Sequence, residues 1–301
     1  MKKRSIDRVK DKEQYFTPEH IVDKLIGIVE NIIPKDEISE IIEPSAGAGA
    51  FLKRVHGIMP IGYDLEPLDN KIIRANYLET PFEYKKGRMF IGNPPFGKSS
   101  NIAIKFLKKM IHECDYIAMV LPRGFYMWSN TFYEFDLIHS EAIECDFVLP
   151  DGNIHNKPVK TVINIYKRPE HGLNKKRIDV EMPFSLLGSS RCGIAYPFRN
   201  EKVNGELCRL NCFGSIGRIT FEQDRWCGEL IIIPKYNSNH KMILEFLENM
   251  DIDMIRMKAT TGATTLIIVD LNRLFELYCN KNNLTINDFY LSNERFIDMI
   301  V

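Results

Sequence analysis

In this 301-residue chain, Ile91-Gly92-Asn93-Pro94-Pro95-Phe96-Gly97 is the stretch whose residue types and order carry the most chemistry. Two consecutive prolines stiffen a loop and remove two backbone donors, leaving carbonyls to accept. The Asn93 side-chain oxygen and the Pro94 carbonyl can together accept from one exocyclic NH₂ group. That geometry suits an amino nitrogen whose lone pair must be drawn out of ring conjugation. Phe96 offers a flat face for such a ring, as aromatic side chains do for extruded bases. A second cluster, Glu43-Pro44-Ser45-Ala46-Gly47-Ala48-Gly49-Ala50-Phe51, has the small residues that let backbone N–H groups approach a ligand where a helix opens. It is neither a Walker loop, since no Gly-Lys-Ser/Thr follows, nor a strict GxGxxG. A third, Tyr63-Asp64-Leu65-Glu66, sets an acid about 20 residues after the glycine turn, where a nucleotide-binding α/β fold engages ribose hydroxyls. Read alone, the glycine turn also suits plain packing, and Asp64 a solvated strand end.

The elements that must position these residues alternate. Ile21, Val22, Leu25, Ile28, Val29 and Ile32 recur at helical spacing, with Thr17 as N-cap, Pro18 in the first turn and Pro34 as terminator. Strands are expected at 40–43, 60–64, 72–75, 88–92, 116–121, 143–149 and 159–166, the last alternating like a sheet edge. Helices are expected at about 50–56 and 101–111. Strand, crossover and strand in repetition predict a largely parallel sheet flanked by helices. After Arg168 the turn-rich stretch 169–177 marks a boundary, giving a domain of about 1–170 and a smaller α+β region over 171–301. In the latter, strands are expected at 207–212, 218–221 and 230–234, and helices at 242–249 and 271–279.

Composition narrows the class. Forty basic and forty acidic side chains cancel, so any anion-binding surface is local. No run approaches the ~20 apolar residues of a membrane span, and no apolar run follows the charged N-terminal residues 1–13 as in a signal peptide. Seven cysteines, an odd number without a CxxC pair, read as reduced thiols of a cytosolic-type compartment. Cys208, Cys212 and Cys227 would need a distant fourth ligand to hold zinc, so no metal is expected.

Asn93-Pro94-Pro95-Phe96 resembles the catalytic motif of amino-group methyltransferases that use S-adenosylmethionine. In motif order, Tyr15-Phe16-Thr17-Pro18 resembles the N-terminal cofactor motif of gamma-class DNA adenine-N6 methyltransferases, with a phage- or mobile-element-type member in view. Glu43 to Phe51, including Ser45, Ala46, Gly47 and Gly49, resembles the methionine-binding motif. Asp64 and Leu65 match the ribose-binding position. Asn76-Tyr77-Leu78 stands where that family has Asp-Phe or Asp-Tyr, which implies that Asn76 and Tyr77 bind the cofactor, with the Asn76 oxygen accepting from its adenine amino group. Val120-Leu121-Pro122-Arg123 resembles the motif after the fifth strand. The resemblance spans roughly residues 14–168. It implies a Rossmann-like methyltransferase domain with a mostly parallel seven-stranded sheet, and S-adenosylmethionine as cofactor. Methyl transfer would go to the N6 amino group of adenine, with Asn93 also at the cofactor boundary. No cysteine nucleophile is needed, and the Pro-Cys of a carbon-5 cytosine enzyme does not occur.

The acceptor is less constrained. Related loops methylate adenine in DNA, adenine in RNA and glutamine in protein, and some methyltransferase-like folds are silent binding subunits. The Tyr-Phe-Thr-Pro element and the C-terminal region favour double-stranded DNA, in a restriction-modification, orphan or phage setting, with a dimer or protein partner as a further expectation. Between Asp151 and Arg177, Lys157, Lys160, Lys167, Arg168, Lys175, Lys176 and Arg177 stand against Asp151 and Glu170. Phosphate neutralisation is one reading of that run, and a solvated face the other. Lys98, Ser99 and Arg123 are placed to touch nucleic acid. His155 stands where the family has an aromatic that stacks the flipped base. Phe213-Gly214-Ser215-Ile216-Gly217-Arg218 and 260–265 offer backbone approach, hydroxyls and, in Arg218, a donor to phosphates or base edges.

Overall fold

The computed structural model describes residues 15–129, 131–149, 151–155, 157–176, 180–187, 204–212, 216–221, 229–258, 266 and 268–291. The chain divides into two compact units, Met1–Lys176 and Arg177–Val301.

Seven strands form the sheet of the first unit: β1 (Glu40–Glu43), β2 (Ile61–Asp64), β3 (Ile73–Arg74), β4 (Arg88–Gly92), β5 (Tyr116–Pro122), β6 (Asp136–Cys145) and β7 (Val159–Lys167). Their order is β3-β2-β1-β4-β5-β7-β6. β1 to β5 run parallel, β7 runs against β5, and β6 runs against β7. This is the Rossmann-like, mostly parallel seven-stranded sheet of a methyltransferase fold. From β1 the chain winds outward through β2 and β3, then returns to place β4 on the other side of β1. Where winding reverses, the connections leaving two adjacent strands diverge and open a crevice at their carboxyl ends. Glu43 ends β1, and Asn93 follows β4.

Strands β4 and β5 are buried at every position and, apart from Arg88 at the start of β4, which pairs with Glu40, they are apolar, as central strands covered on both faces require. Successive side chains go to opposite layers. Met89, Ile91, Tyr116, Ala118 and Val120 join Ile21, Val22, Leu25 and Val29 of α1 (Glu19–Ile32). Phe90, Ile117, Met119 and Leu121 join Ala103, Phe106, Leu107 and Met110 of α2 (Asn101–Met110).

Several expectations are corrected. Pro18 rather than Thr17 is the N-cap of α1: extended at ψ 149°, it turns its carbonyl to accept from Ile21 and Val22. The helix expected at 50–56 is a run of turns, with the Gly49 carbonyl accepting from Lys53 and that of Phe51 from Arg54 and Val55. Gly49 and Gly57, both at positive φ, break the right-handed backbone on either side of this segment. The sixth strand starts at Asp136, not 143, and stops at Cys145. As the sheet edge it carries polar residues that conceal it from an apolar-run reading. β7 lies inside the sheet and is not an edge. Its alternation comes from polar residues that are buried: Asn164 donates to the Phe125 carbonyl and the Tyr166 hydroxyl, and accepts from Ser140.

The second unit has an antiparallel sheet, made of β8 (Phe184–Leu187), β9 (Cys208–Asn211), β10 (Ile219–Thr220) and β11 (Glu229–Pro234), in the order β10-β9-β11-β8. Among the described residues the α-helices that follow are α3 (His240–Asn249), α4 (Ile252–Lys258) and α5 (Ile268–Asn282). Phe246 and Phe275 meet edge to face in its core, with Phe289 behind. β8 and α4 have no counterpart in the sequence reading. Burial pushes the Cys208 and Cys212 thiols up to about 12. Cys227, Arg177, residues 1–13, 213–215 and 260–265 lie outside the described residues. Among the described residues no helix is long and apolar enough to cross a membrane.

Candidate active site

The site grows from the carboxyl ends of β1, β2 and β4. Beyond β4, Asn93 carries an Oδ1 that is buried and accepts no hydrogen bond among the described residues. An unsatisfied buried acceptor costs about 1–3 kcal/mol, so the fold here keeps an acceptor it does not itself use. The Asn93 carbonyl accepts from the Ser45 hydroxyl at 3.1 Å, tying the proline loop to the glycine turn. Pro94 is buried, and Pro95 and Phe96 are half-buried. The Phe96 carbonyl accepts from Ile102 at 3.1 Å and Ala103 at 3.3 Å, which opens α2. Gly97 makes the turn possible. At φ +70° a Cβ there would lie 2.1 Å from Asn101 Oδ1 and 2.5 Å from Ile102 Cγ1.

Across the crevice, Glu43 is buried and accepts from the Leu52 N–H at 3.2 Å. Burial pushes its carboxyl well above the ordinary carboxylate range, against the backbone N–H groups of Leu52 and Phe51, and the nearby Asp64 charge adds to the rise. Gly47, at φ +53°, donates to Asp64 Oδ2 at 2.7 Å, and Glu66 N–H donates to Oδ1 at 2.7 Å. The acid is thereby fixed at the crevice, with lone pairs left for further donors. Ala46 donates to the Tyr63 carbonyl. Leu65 is exposed beside Asp64.

The N-terminal motif is brought to the same place. Phe16 and Val148 exchange backbone hydrogen bonds of 2.8 and 3.0 Å. The Phe16 ring covers Gly47, 2.9 Å from where a Cβ would stand, so that position admits no side chain. Tyr15 packs against Phe147 and His155 at centroid distances of 5.7 and 5.6 Å. Thr17 is buried and Pro18 caps α1.

Other predicted residues fall elsewhere. Tyr77 is a core residue: its ring packs with Phe82, Phe90 and Phe106, and its hydroxyl donates to the buried Glu113 at 2.6 Å. Asn76 Oδ1 accepts from the Leu78 N–H at 3.1 Å and shapes a turn, which occupies one of the lone pairs assigned to the cofactor. Arg123 is no nucleic-acid ligand. It is buried, donating to the Thr161 carbonyl at 2.7 Å and the Ile143 carbonyl at 2.5 Å, and so clamps β7 to β6. His155 meets Tyr15 in a T-shaped contact and hydrogen-bonds the Lys157 carbonyl at 2.8 Å.

The basic run also divides. Thr161 pairs with Pro122 and Lys167 with Tyr116, so β7 carries its basic residues to opposite edges of the sheet. Lys157 and Lys160 are exposed towards the Asn93 edge. Lys167 pairs with Glu37, and Arg168 with Asp115 and the carbonyls of Ile111 and Cys114, at the far edge. Lys98 and Ser99 are exposed on the loop that follows Gly97. In the second unit, Arg218 lines an open cavity of about 660 Å³ that also holds Glu248, Asp251, Asp253 and Arg256, a poor surface for phosphate. Phe147, next to both Tyr15 and Phe96, was missed. Its only signal was an aromatic within the strand expected at 143–149.

No family model matches the chain. Over 98 residues, 30% of its length, the chain is 29% identical to the Type II methyltransferase M.HincII of Haemophilus influenzae, and equally to M.HindII of the same species. It spans 18% of the length of those relatives. Among solved structures it is similar to a Pyrococcus horikoshii protein provisionally assigned as an RNA methyltransferase, at TM-score 0.41 and 16% identity, covering 52% of this chain and 87% of that one. It is also similar to the 23S rRNA methyltransferase ErmE, at TM-score 0.35 and 17% identity, covering 53% and 72%.

The cofactor that goes with this methyltransferase fold is S-adenosylmethionine, and the residues present fit it. Glu43 is a buried carboxyl that makes no direct ion pair among the described residues, with only the more distant Lys53 charge favouring its ionised form, and the ammonium of a methionine moiety would supply that pair. Asp64, at the end of β2, would offer its remaining lone pairs to ribose hydroxyls. Gly47 itself adds no side chain to the turn, which the Phe16 ring flanks on one side.

Proposed function

We propose that this protein transfers a methyl group from S-adenosylmethionine to the exocyclic N6 amino group of adenine in DNA, with Asn93, Pro94, Pro95 and Phe96 forming the acceptor loop. The observation that carries the reading is the buried, unpartnered Oδ1 of Asn93 at the reversal point of the sheet. An amino group donating to that oxygen and to the Pro94 carbonyl has its two N–H bonds fixed. Its lone pair is then turned away from ring conjugation and towards the crevice. Phe96 supports the ring plane. S-adenosylmethionine supplies a methyl group already activated by its sulfonium, so the chain's task is positioning rather than generating a nucleophile. In the in-line displacement the N6–carbon bond forms as the sulfur–carbon bond breaks. The surplus proton on N6 passes to solvent, leaving N6-methyladenine and S-adenosylhomocysteine. DNA rather than another acceptor is supported by the partial match to Type II methyltransferases and by the Tyr15-Phe16-Thr17-Pro18 segment seated on the glycine turn.

The test is transfer of label from S-adenosylmethionine to unmethylated DNA and to RNA, followed by mass spectrometry of the digested nucleosides. N6-methyldeoxyadenosine is the expected product. Methyladenosine from RNA alone overturns the DNA assignment, and label in neither overturns the activity on nucleic acid.

A further inference from the structure

One aromatic side chain joins the two halves of the site without belonging to either. Phe147 is 1% exposed and leaves β6 just before the loop that returns to β7. Its ring stands 6.2 Å from that of Phe96, at 71°, and 5.7 Å from that of Tyr15. The next residue, Val148, exchanges both backbone hydrogen bonds with Phe16, whose ring covers Gly47. The Phe147 carbonyl accepts from the His155 N–H at 2.8 Å, and His155 in turn packs on Tyr15. A short two-stranded ribbon, Tyr15-Phe16 against Phe147-Val148, thus touches the glycine turn through Phe16 and the acceptor loop through Phe147.

We propose that Phe147 is a positioning residue, whose ring fixes Phe96 and couples the acceptor loop to the segment covering the glycine turn. This rests on the function proposed above. The argument is one of constraint. Phe96 is held through its backbone, where its carbonyl starts α2, and its ring meets Phe147 edge to face. Edge-to-face rings prefer a defined angle, which an aliphatic side chain of similar bulk does not impose. A ring that must lie under a transferring amino group tolerates little displacement, since about 1 Å of misplacement costs on the order of 100-fold in rate. Because Val148 moves with Phe16, a ligand that settles the glycine turn also settles Phe147.

The test compares the full chain with its Phe147→Leu variant, which keeps apolar bulk and removes the ring. The amides of Ile102 and Ala103 report directly, since both donate to the Phe96 carbonyl. In the wild type, S-adenosylhomocysteine should slow their hydrogen exchange further. In Phe147→Leu that increment should vanish, while S-adenosylhomocysteine affinity stays within about threefold and the amides of β5 keep their protection. Methyl transfer should fall on the order of 10- to 100-fold, in kcat rather than KM for the cofactor. Tyr15→Leu, which removes the ring on the other side of Phe147, should reproduce the exchange result more weakly. Unchanged exchange at Ile102 and Ala103 overturns the proposal, as does loss of protection spread evenly through α2 and β5, which would make Phe147 a core residue only. If the exchange results hold but the wild type methylates no nucleic acid, the function is wrong and the positioning role stands.

Discussion

The Asn93 side chain has a cost that only an incoming donor removes. Its Oδ1 is buried without a partner while its own carbonyl is held by Ser45, so loop and side chain are preset before any acceptor arrives. Catalysis gains from polar groups that need no reorganisation at the moment of reaction. Asn93→Ala should therefore reduce methyl transfer by about 100- to 1,000-fold, the usual effect of deleting one preorganised hydrogen-bonding group. S-adenosylhomocysteine affinity, measured by calorimetry, should stay within a few fold. Near-normal turnover would remove Asn93 from the mechanism. Glu43 is the matching case on the cofactor side. Burial raises its folded-state pKa, so in the ligand-free protein its contribution to stability is full below the ordinary carboxylate pKa. That contribution is lost as pH rises through the raised folded value. A ligand ammonium favours the ionised form, so cofactor affinity should climb with pH over the same window, by at most about tenfold per unit. Binding should release a proton, detectable as a dependence of calorimetric heat on the buffer's ionisation enthalpy. Glu43→Gln should abolish both the proton release and the pH dependence.

At the scale of elements, side chains that read as functional in the sequence serve the sheet. Arg123 follows a strand that ends at the site and carries the charge expected of a phosphate ligand, yet its guanidinium satisfies carbonyls of β6 and β7. Arg123→Ala should destabilise the protein by about 2–4 kcal/mol, because two buried carbonyls lose charged donors. A denaturant titration gives the loss, and nucleic-acid affinity at matched folded fraction should be unaffected. The loop between Gly97 and α2 contains the opposite kind of residue. Ser99 and Ser100 both sit at positive φ, 54° and 63°, where a β-carbon is strained. Ser100→Gly should raise the thermal midpoint, by up to about 1 kcal/mol in stability, and a fall would show that the hydroxyl is engaged. The same contrast explains what was legible. β1, β4 and β5 and helices α1 and α2 were readable because one periodicity ran through each, with apolar residues covered on both faces or on one stripe. That the glycine turn, Asp64 and Asn93 meet at one crevice was readable because motif order and strand order agreed along the chain. β6 was largely hidden because an edge strand can be polar, and the turns at 50–56 because glycine conformation overrode an apolar pattern. Tyr77 and Arg123 were misassigned for a different reason. Which way a side chain points depends on partners far away in sequence, Glu113 for Tyr77 and the β6–β7 carbonyls for Arg123.

For the whole molecule the decisive quantity is where charge lies, since basic and acidic residues cancel at forty each. A neutral protein has no long-range attraction for a polyanion, so affinity for nucleic acid depends on a few local cations and on salt. The sheet sorts the candidates. Lys157 and Lys160 lie where β7 meets the carboxyl edge that bears Asn93, while Lys167 and Arg168 are carried to the other edge, where Glu37 and Asp115 pair with them. Lys98 is exposed four residues beyond Pro94. Arg218 shares its cavity with three acids. Replacing Lys157 by Gln should lower the slope of log affinity against log salt concentration by about 0.9 for duplex DNA, one phosphate's worth of released counterions. Lys98→Gln should do the same, and the double variant should lose about twice as much. Lys167→Gln and Arg218→Gln should leave the slope unchanged, although both remove one positive charge from the same neutral chain. Equal slopes for all four single variants would mean that binding follows net charge rather than the edge of the sheet, and the acceptor would then have to approach the site from another direction.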